Sequence, residues 1–393
     1  MTAKRSSRQK IEAHRKRITL ADLAEINPRV CKLKLSGDAE VSFVPMADVD
    51  ESGNWVNRQV APLKQVSTGY TQFLDNDILF AKITPCAENG KGTHATGLSN
   101  GVGYGSTEFH VLRPKSQVNP RFVFQIAHWP EARRVAGQMM SGSAGQQRVT
   151  TDFFEVFGVP DDAFRNQDRI VAILDASDAV ISSTNDIIFQ TEQTKAALMQ
   201  GLLLPNKKTR TKFKVHALGE LFAERKESGK PGLPTLSVTM HDGMVDREEH
   251  GRRVESELTP EEHLLAHKHD IAYNMMRMWQ GVSGLAPFKG LVSPAYVVLK
   301  PLAGIDPLFG SYLFKLPETI RLFHRYSQGL TNDRLRLYYD QFAEIRVPIP
   351  SDIKEQRRIA SLLTTLDRQI EQSESLVQSL RQTKAAICQQ LFS

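Results

Sequence analysis

Three histidines within seven residues, His263, His267 and His269, followed at once by Asp270, form the densest set of metal-capable side chains. Zinc takes three or four such ligands. The local sequence, however, reads as a charged helix end running into a strand, so a solvated cluster is expected rather than a metal site. Glu224-Arg225-Lys226 has the E-x-K tripeptide of some nucleases, but no Asp precedes it at short range, and chance explains it. The sequence contains no Walker A loop, no Asn-Pro-Pro-Tyr-like methyltransferase tetrapeptide and no G-x-S-x-G. Gly101-Val102-Gly103-Tyr104-Gly105 lacks the Lys-Ser/Thr that a phosphate loop needs. Cys31, Cys86 and Cys388 are far apart and odd in number, which reads as reduced thiols rather than disulfides or zinc ligands. Binding chemistry is better represented. Residues 141–148, Ser-Gly-Ser-Ala-Gly-Gln-Gln-Arg, are small and polar and end in amide and guanidinium groups, as a loop does that comes close to a backbone or a base edge.

Such a loop has to be positioned, and the largest positioning feature is a stretch used twice. Residues 167–202 lie over 356–391 at an offset of 189 without a gap, and roughly a third of the pairs are identical. The offset is a multiple of seven. Ile170, Leu174, Ile181, Ile188, Leu198 and Leu202 fall on the a and d positions of a heptad. So do Ile359, Leu363, Leu366, Ile370, Val377, Leu380, Ile387 and Leu391. Spacing of three and four over about five heptads predicts an apolar stripe on a helix of roughly 54 Å. A rod of that kind cannot bury its stripe alone, and the nearest partner is the other copy. The intervening Asp, Glu, Gln, Ser and Arg predict a polar outer face. Lys195 and Lys384 also fall on the stripe; each is expected to lay its stem along the seam and turn its ammonium to solvent.

The rest of the chain follows this punctuation. Within 393 residues carrying a net charge of +6, the modest basic excess suggests a polyanion partner. No apolar run of about 18 residues predicts a membrane span, and the basic segment 1–17 has no apolar stretch behind it to make a secretory signal. Strands are predicted over 41–46, 77–83 and 107–112, and over 236–239, 270–275 and 294–299. A turn is predicted at 50–54, and a helix over 121–140 broken at Trp129-Pro130. Asp161 or Asp162 is expected to cap the first long helix. The exits from the two mixed segments echo each other. Arg148 to Phe154 matches Arg336 to Phe342, Val159-Pro160 matches Val347-Pro348, and Asp77-Ile78 matches Asp270-Ile271. The expected division is 1–158 (with the basic arm 1–17, solvated or phosphate-contacting), a helical spacer 159–204, a basic linker 205–212, a second globule 213–347 and a second spacer 348–393.

These residues resemble the specificity subunit of Type I restriction–modification systems over nearly the full length. In the first half the resemblance rests on Val44-Pro45-Met46-Ala47-Asp48-Val49, on residues 81–92 (Ala-Lys-Ile-Thr-Pro-Cys-Ala-Glu-Asn-Gly-Lys-Gly), on Gly105-Ser106-Thr107-Glu108-Phe109 and on residues 141–146. In the second it rests on Leu236-Ser237-Val238-Thr239, Ser293-Pro294-Ala295-Tyr296, Val347-Pro348-Ile349-Pro350 and the Gln-Arg-Arg-Ile of 356–359; the first copy departs from the last, with Asp168 in place of Arg357. The resemblance implies an α+β fold: two mixed α/β target-recognition domains separated by two long α-helices packed as an antiparallel coiled coil, a pseudo-two-fold duplication. It implies a non-catalytic, cytoplasmic subunit that binds double-stranded DNA at a split target and recruits two methyltransferase and two restriction/translocation subunits. S-adenosylmethionine and ATP with Mg would belong to those partners, and this chain would carry no cofactor or metal. A stiff spacer would set the gap between half-sites at about one DNA turn, roughly 34 Å. Candidate DNA contacts are Lys82, Asn89, Lys91, Ser141, Ser143, Gln146, Gln147 and Arg148 in the first globule. In the second they are Asn274, Arg277, Lys289, Asn332, Arg334 and Arg336. Two other readings stay open: a coiled-coil scaffold whose globules bind protein, and a specificity subunit of a solitary modification system without a nuclease.

Overall fold

Pro120 and Pro307 show how local sequence sets the elements. Each occupies the first turn of a helix, where its missing N–H costs nothing, and each follows a side-chain cap, the Asn119 oxygen accepting from Arg121 N and the Asp306 carboxylate from Phe309 N. The computed structural model describes residues 16–393 apart from 33, 144, 241–242, 249–257 and 332–333. Most of the basic arm and Asn332 therefore lie outside the described residues. Two units emerge, Met1–Asn185 with Ser375–Ser393, and Asp186–Glu374. The divisions fall inside the two long helices rather than at their ends.

Unit 1 opens with β1 (Arg17–Thr19), β2 (Ala24–Ile26), β3 (Glu40–Val44), β4 (Gln59–Pro62), β5 (Thr71–Leu74), β6 (Ile78–Ala81), β7 (Gly92–His94), β8 (Val102–Gly105) and β9 (Phe109–Pro114). They form two four-stranded sheets, ordered β2-β9-β6-β7 and β4-β3-β8-β5. The glycines of 101–105 serve packing: a Cβ on Gly103 would lie 2.2 Å from the Phe73 ring. Helices α1 (Pro120–His128) and α2 (Pro130–Gln138) break at Trp129-Pro130 as predicted. A hairpin of β10 (Met140–Ser141) and β11 (Arg148–Val149) follows, then β12 (Gly158–Pro160), which pairs with β1, and α3 (Gln167–Leu203). Arg17, counted with the arm, is a staple: its guanidinium donates to Gly158 O and Phe392 O. The short helix Asp161–Arg165 has no side-chain cap, so the expected Asp161 or Asp162 cap does not form; Asp161 pairs with Arg165 instead. The core gathers Phe80, Phe122, Phe153 and Phe154 with Ile170 and Leu174 of α3.

Unit 2 repeats the plan. Its strands are β13 (Phe213–Ala217), β14 (Phe222–Arg225), β15 (Leu236–Val238), β16 (Met244–Asp246), β17 (Leu264–Ala266), β18 (Ile271–Asn274), β19 (Ser283–Leu285), β20 (Gly290–Val292) and β21 (Tyr296–Pro301). Helices α4 (Pro307–Leu313) and α5 (Pro317–Tyr326) lead to β22 (Arg346–Pro350) and α6 (Ile353–Phe392). The sheet β14-β21-β18-β19 has the order of β2-β9-β6-β7, and β13 pairs with β22 as β1 does with β12. The Asp77/Asp270 echo is structural. Both carboxylates are buried at the head of the central strand and ion-paired, Asp77 with Arg113 of β9 and Asp270 with Arg225 of β14. The same buried charge is thus neutralised from two different strands.

The long helices run 37 and 40 residues. In unit 1 the first half of α3 packs against the end of α6, bringing Ile387, Cys388, Leu391 and Phe392 onto the Ile170–Leu174 core. In unit 2 the end of α3 meets the start of α6, joining Leu198, Leu202 and Leu203 to Ile359, Ala360 and Leu363. The partners run antiparallel. Every predicted seam residue is buried or half-buried, and burying each Leu or Ile contributes about 1.5–3 kcal/mol. Thr184 and Thr191, also on the stripe, are buried and turn their hydroxyls back onto the i−4 carbonyls. Two expectations fail here. The lysines do not turn out to solvent: Lys384 pairs with Asp178 in unit 1, and Lys195 with Asp367 in unit 2. Nor is the outer face uniformly polar. Ile173, Val180 and Leu376 in unit 1, and Ile187, Phe189 and Leu362 in unit 2, are 40–62% exposed.

Candidate functional site

In unit 1 the chain leaves β6 at Lys82, and the backbone of that residue ties two loops together. Its N–H donates to Glu108 O, and its carbonyl accepts from Val149 N. Ile83 bridges Arg148, and Thr84 N donates to Gln147 O. The Ser106 hydroxyl accepts from Glu108 N, which shapes the turn into β9. Lys82, Gln146, Gln147 and Arg148 are therefore brought together, with Ser141 paired to Arg148 in the hairpin and Ser143 exposed in the loop between.

Arg148 is not free in this cluster. Its Nε and Nη2 donate to the two oxygens of Glu108 at 2.9 and 2.8 Å, and Nη1 reaches Gln146 O at 3.3 Å. That hydrogen-bonded guanidinium holds the Glu108 carboxyl below its usual range, with the nearby Lys82 adding to it. A fork gripped along its Nε edge keeps its outer Nη edge for an acceptor pair, the geometry in which arginine reads guanine O6 and N7. Glu108 was absent from the sequence-derived contacts, although it lies inside one of the resembling motifs. Asn89 and Lys91 are less available: Asn89 donates to Glu51, and the Lys91 ammonium lies 3.4 Å from Met46 O.

Unit 2 builds the same frame from different side chains. Met275 N donates to Ala295 O, and Met275 O accepts from Leu337 N. The Ser293 hydroxyl accepts from Ala295 N, as Ser106 does from Glu108 N. Gln328 and Arg336 exchange backbone hydrogen bonds where Ser141 and Arg148 pair in unit 1. Met275, Ala295 and Arg336 thus stand in the places of Lys82, Glu108 and Arg148. Beside them a cavity of about 380 Å³ is lined by Thr235, Ser237, Arg247, Asn274, Ser293 and Tyr296, among others. Asn274 spends its side-chain oxygen on Met276 N. Arg277, Arg334 and Arg336 are exposed. Lys289 is exposed too, but it lies in the connection from β19 to β20, away from these residues in the chain.

The helical turn Pro260–Glu262 does run into β17 as expected, but of the three histidines only His269 is exposed; His263 and His267 take structural roles. His263 is 6% exposed and bonds Thr259 O, His267 pairs with Glu227, and Asp270 is 2% exposed in its ion pair with Arg225. Among the described residues no three His, Cys, Asp or Glu converge to hold a metal, and no helix is long and apolar enough to cross a membrane.

Comparison with known proteins places this frame. Residues 266–381 match the family described as the Type I restriction modification DNA specificity domain. The chain is 41% identical over 157 residues to the Type I restriction enzyme EcoEI specificity subunit of Escherichia coli, a match covering 39% of this chain and 26% of that protein. It is 40% identical over 156 residues to the EcoAI specificity subunit of the same organism, again 39% and 26%. Only about a quarter of these relatives is thus spanned. Among solved structures, the S subunit of a Type I restriction–modification system from M. genitalium has a TM-score of 0.57 at 13% identity, with 96% of each chain covered. A chain from work on complex assembly and conformational transition of the type I R-M system also scores 0.57, at 14% identity, covering 96% of this chain and 97% of that one. At such identities the likeness is one of fold.

Proposed function

We propose that this chain, whose residues 266–381 match the Type I restriction modification DNA specificity domain, reads a bipartite duplex DNA target, one half-site per unit, as the specificity subunit of such a system. The observation that carries this is the shared frame with exchanged chemistry. The place held by Lys82, Glu108 and Arg148 in unit 1 is held by Met275, Ala295 and Arg336 in unit 2. Scaffold atoms that repeat while the presented side chains change are what reading two different half-sites requires. The chain itself performs no chemistry in this reading. Methyltransferase and restriction subunits, two of each, bring it, with S-adenosylmethionine and ATP with Mg as their cofactors, in the cytoplasm. Exposed apolar residues on the long helices, Ile173, Val180 and Leu376 in unit 1 and Ile187 and Leu362 in unit 2, supply docking surface for such partners.

The test is selection of a randomised duplex library by the full-length chain, with and without its methyltransferase partner. Enrichment of two short motifs at a fixed spacing is expected, with affinity falling steeply as salt rises. Recovery of no motif from either form overturns the reading in favour of a protein-binding scaffold.

A further inference from the structure

Unit 1 buries a charge that no acidic side chain among its described residues pairs with. Arg133, on α2, is 6% exposed, and among the described residues its Nε and Nη2 have no hydrogen-bond partner. Its Nη1 reaches only Ala87 O, at 3.5 Å. The Phe80 ring lies 3.7 Å beneath the guanidinium, which offsets part of the charge but accepts no bond from those two nitrogens. Burial pushes this arginine down to about 9, so it stays charged at neutral pH. A buried cation left unpaired is strongly unfavourable, and the fold does not demand one here. Counted from the proline that opens each helix, Arg133 of α2 (from Pro130) corresponds to Ile320 of α5 (from Pro317), and the matching backbone bonds Arg133 N to Trp129 O and Ile320 N to Leu316 O confirm the register. An apolar side chain fills the same place in the other copy.

Beside Arg133 is a cavity of about 430 Å³ whose lining includes His128, Asn89 and Gly90. A water's share of liquid volume is about 30 Å³, so the space admits a polyatomic ion. His128 is half-buried with its Nε2 enclosed, and it is held neutral, first by desolvation and then by Arg133 itself. Its Nδ1 lies 3.1 Å from Phe124 O, which fixes the proton there and leaves Nε2 an acceptor. The Gly92 carbonyl near Nε2 cannot accept from a nitrogen without a proton, and Nε2 has no partner among the described residues. The cavity thus offers two orphan donors on a cation and one orphan acceptor, the complement of a hydrogen phosphate with two P–O acceptors and one P–OH donor. Glu51 and Glu88 also line it, but both are exposed to screening water, and each gives an oxygen to the loop, to Asn89 Nδ2 and Thr84 Oγ1.

We propose that unit 1 holds a phosphate group on Arg133 and His128, a site separate from the Arg148 cluster. The donor that His128 Nε2 needs is a P–OH, so the group is free hydrogen phosphate or a terminal phosphomonoester, not a diester of the DNA backbone. Calorimetric titration of the full-length chain with inorganic phosphate, in a buffer free of other oxyanions and against chloride at matched ionic strength, tests this. One saturable site is expected, lost in Arg133→Ile, the side chain unit 2 already accommodates, and weakened at least about tenfold in Arg133→Lys, which keeps the charge but not the fork. Circular dichroism checks that the variants fold. Competition by a 5′-phosphorylated duplex but not by the same duplex without terminal phosphates identifies a terminal phosphate, and binding independent of both a free one; competition by the unphosphorylated duplex overturns the P–OH assignment. Absence of saturable uptake, or uptake unchanged in both variants, overturns the site.

Discussion

The Glu108–Arg148 pair carries the most information at the scale of single residues. An exposed arginine samples many rotamers and loses that freedom on binding; one gripped at two points by a carboxylate has already lost it. Arg148→Ala is expected to weaken binding of a library-selected duplex by about 1–3 kcal/mol and to relax preference at one base position. Glu108→Gln leaves the arginine present but loosely held. It should cost less, about 0.5–1.5 kcal/mol, while broadening preference at that same position. Fluorescence anisotropy on the selected duplex and its single-base variants reads both effects. If Arg148→Ala changes neither affinity nor preference, the 141–148 loop does not read DNA. Sequence reasoning reached Arg148 because small polar loops ending in amides and guanidinium advertise contact chemistry. It missed Glu108 because the pairing spans 40 positions and depends on how the turn at Ser106 meets the hairpin.

The elements repeat in their fine detail. Gln167 and Gln356, the first residues of the duplicated stretch, do the same work. Gln167 accepts from Asn119 N and donates to Gln117 O; Gln356 accepts from Asp306 N and donates to Gly304 O and Pro350 O. Each thereby clamps the loop that caps α1 or α4. Gln356 is wholly buried and Gln167 only partly, so Gln356→Ala should cost about 2–3 kcal/mol in chemical denaturation and Gln167→Ala less. Equal losses would contradict the ranking by burial. The seam pairs make a second case, since each lysine meets the aspartate of the other copy. Lys384→Met strands Asp178 in a half-buried seam and should cost about 1–3 kcal/mol, between the exposed and buried limits. Exchanging the pair, Asp178→Lys with Lys384→Asp, should recover most of it. A swap as unstable as the single change would mean that packing of the stems, not charge, matters there.

At the level of the whole molecule, unit 1 carries buried and half-buried histidines that make its core sensitive to acid. His94, His110 and His128 all lie in unit 1, each with its proton affinity lowered chiefly by burial, His94 to about 4. The unfolded chain binds a proton on each near pH 6.5 while the folded one does not. Their contribution to stability is therefore complete above about pH 6.5 and is lost as pH falls toward 4. Hydrogen exchange from pH 7.5 to 4.5 should accordingly show protection in the core around Phe80 and Phe153 falling as pH drops. Protection unchanged over that range would contradict the assignment. The duplication preserved the frame while letting buried charges diverge, as Arg133 against Ile320 shows.

The heptad stripe, the breaks at proline and the paired exits were fixed by residue order alone, because periodicity and backbone chemistry act within a few residues. The long helices, the α1–α2 break and the Asp77/Asp270 correspondence were legible for that reason. Which acid meets which base was not. The partners of Lys384, Lys195, Arg148 and Arg113 lie 36 to 206 positions away, and a heptad specifies a face without naming what lies across it. Only the tertiary structure turned two of the three histidines and the aspartate into separate structural contacts, and only it showed a buried arginine with two nitrogens unpartnered among the described residues. Those outcomes depend on the burial and proximity that packing creates.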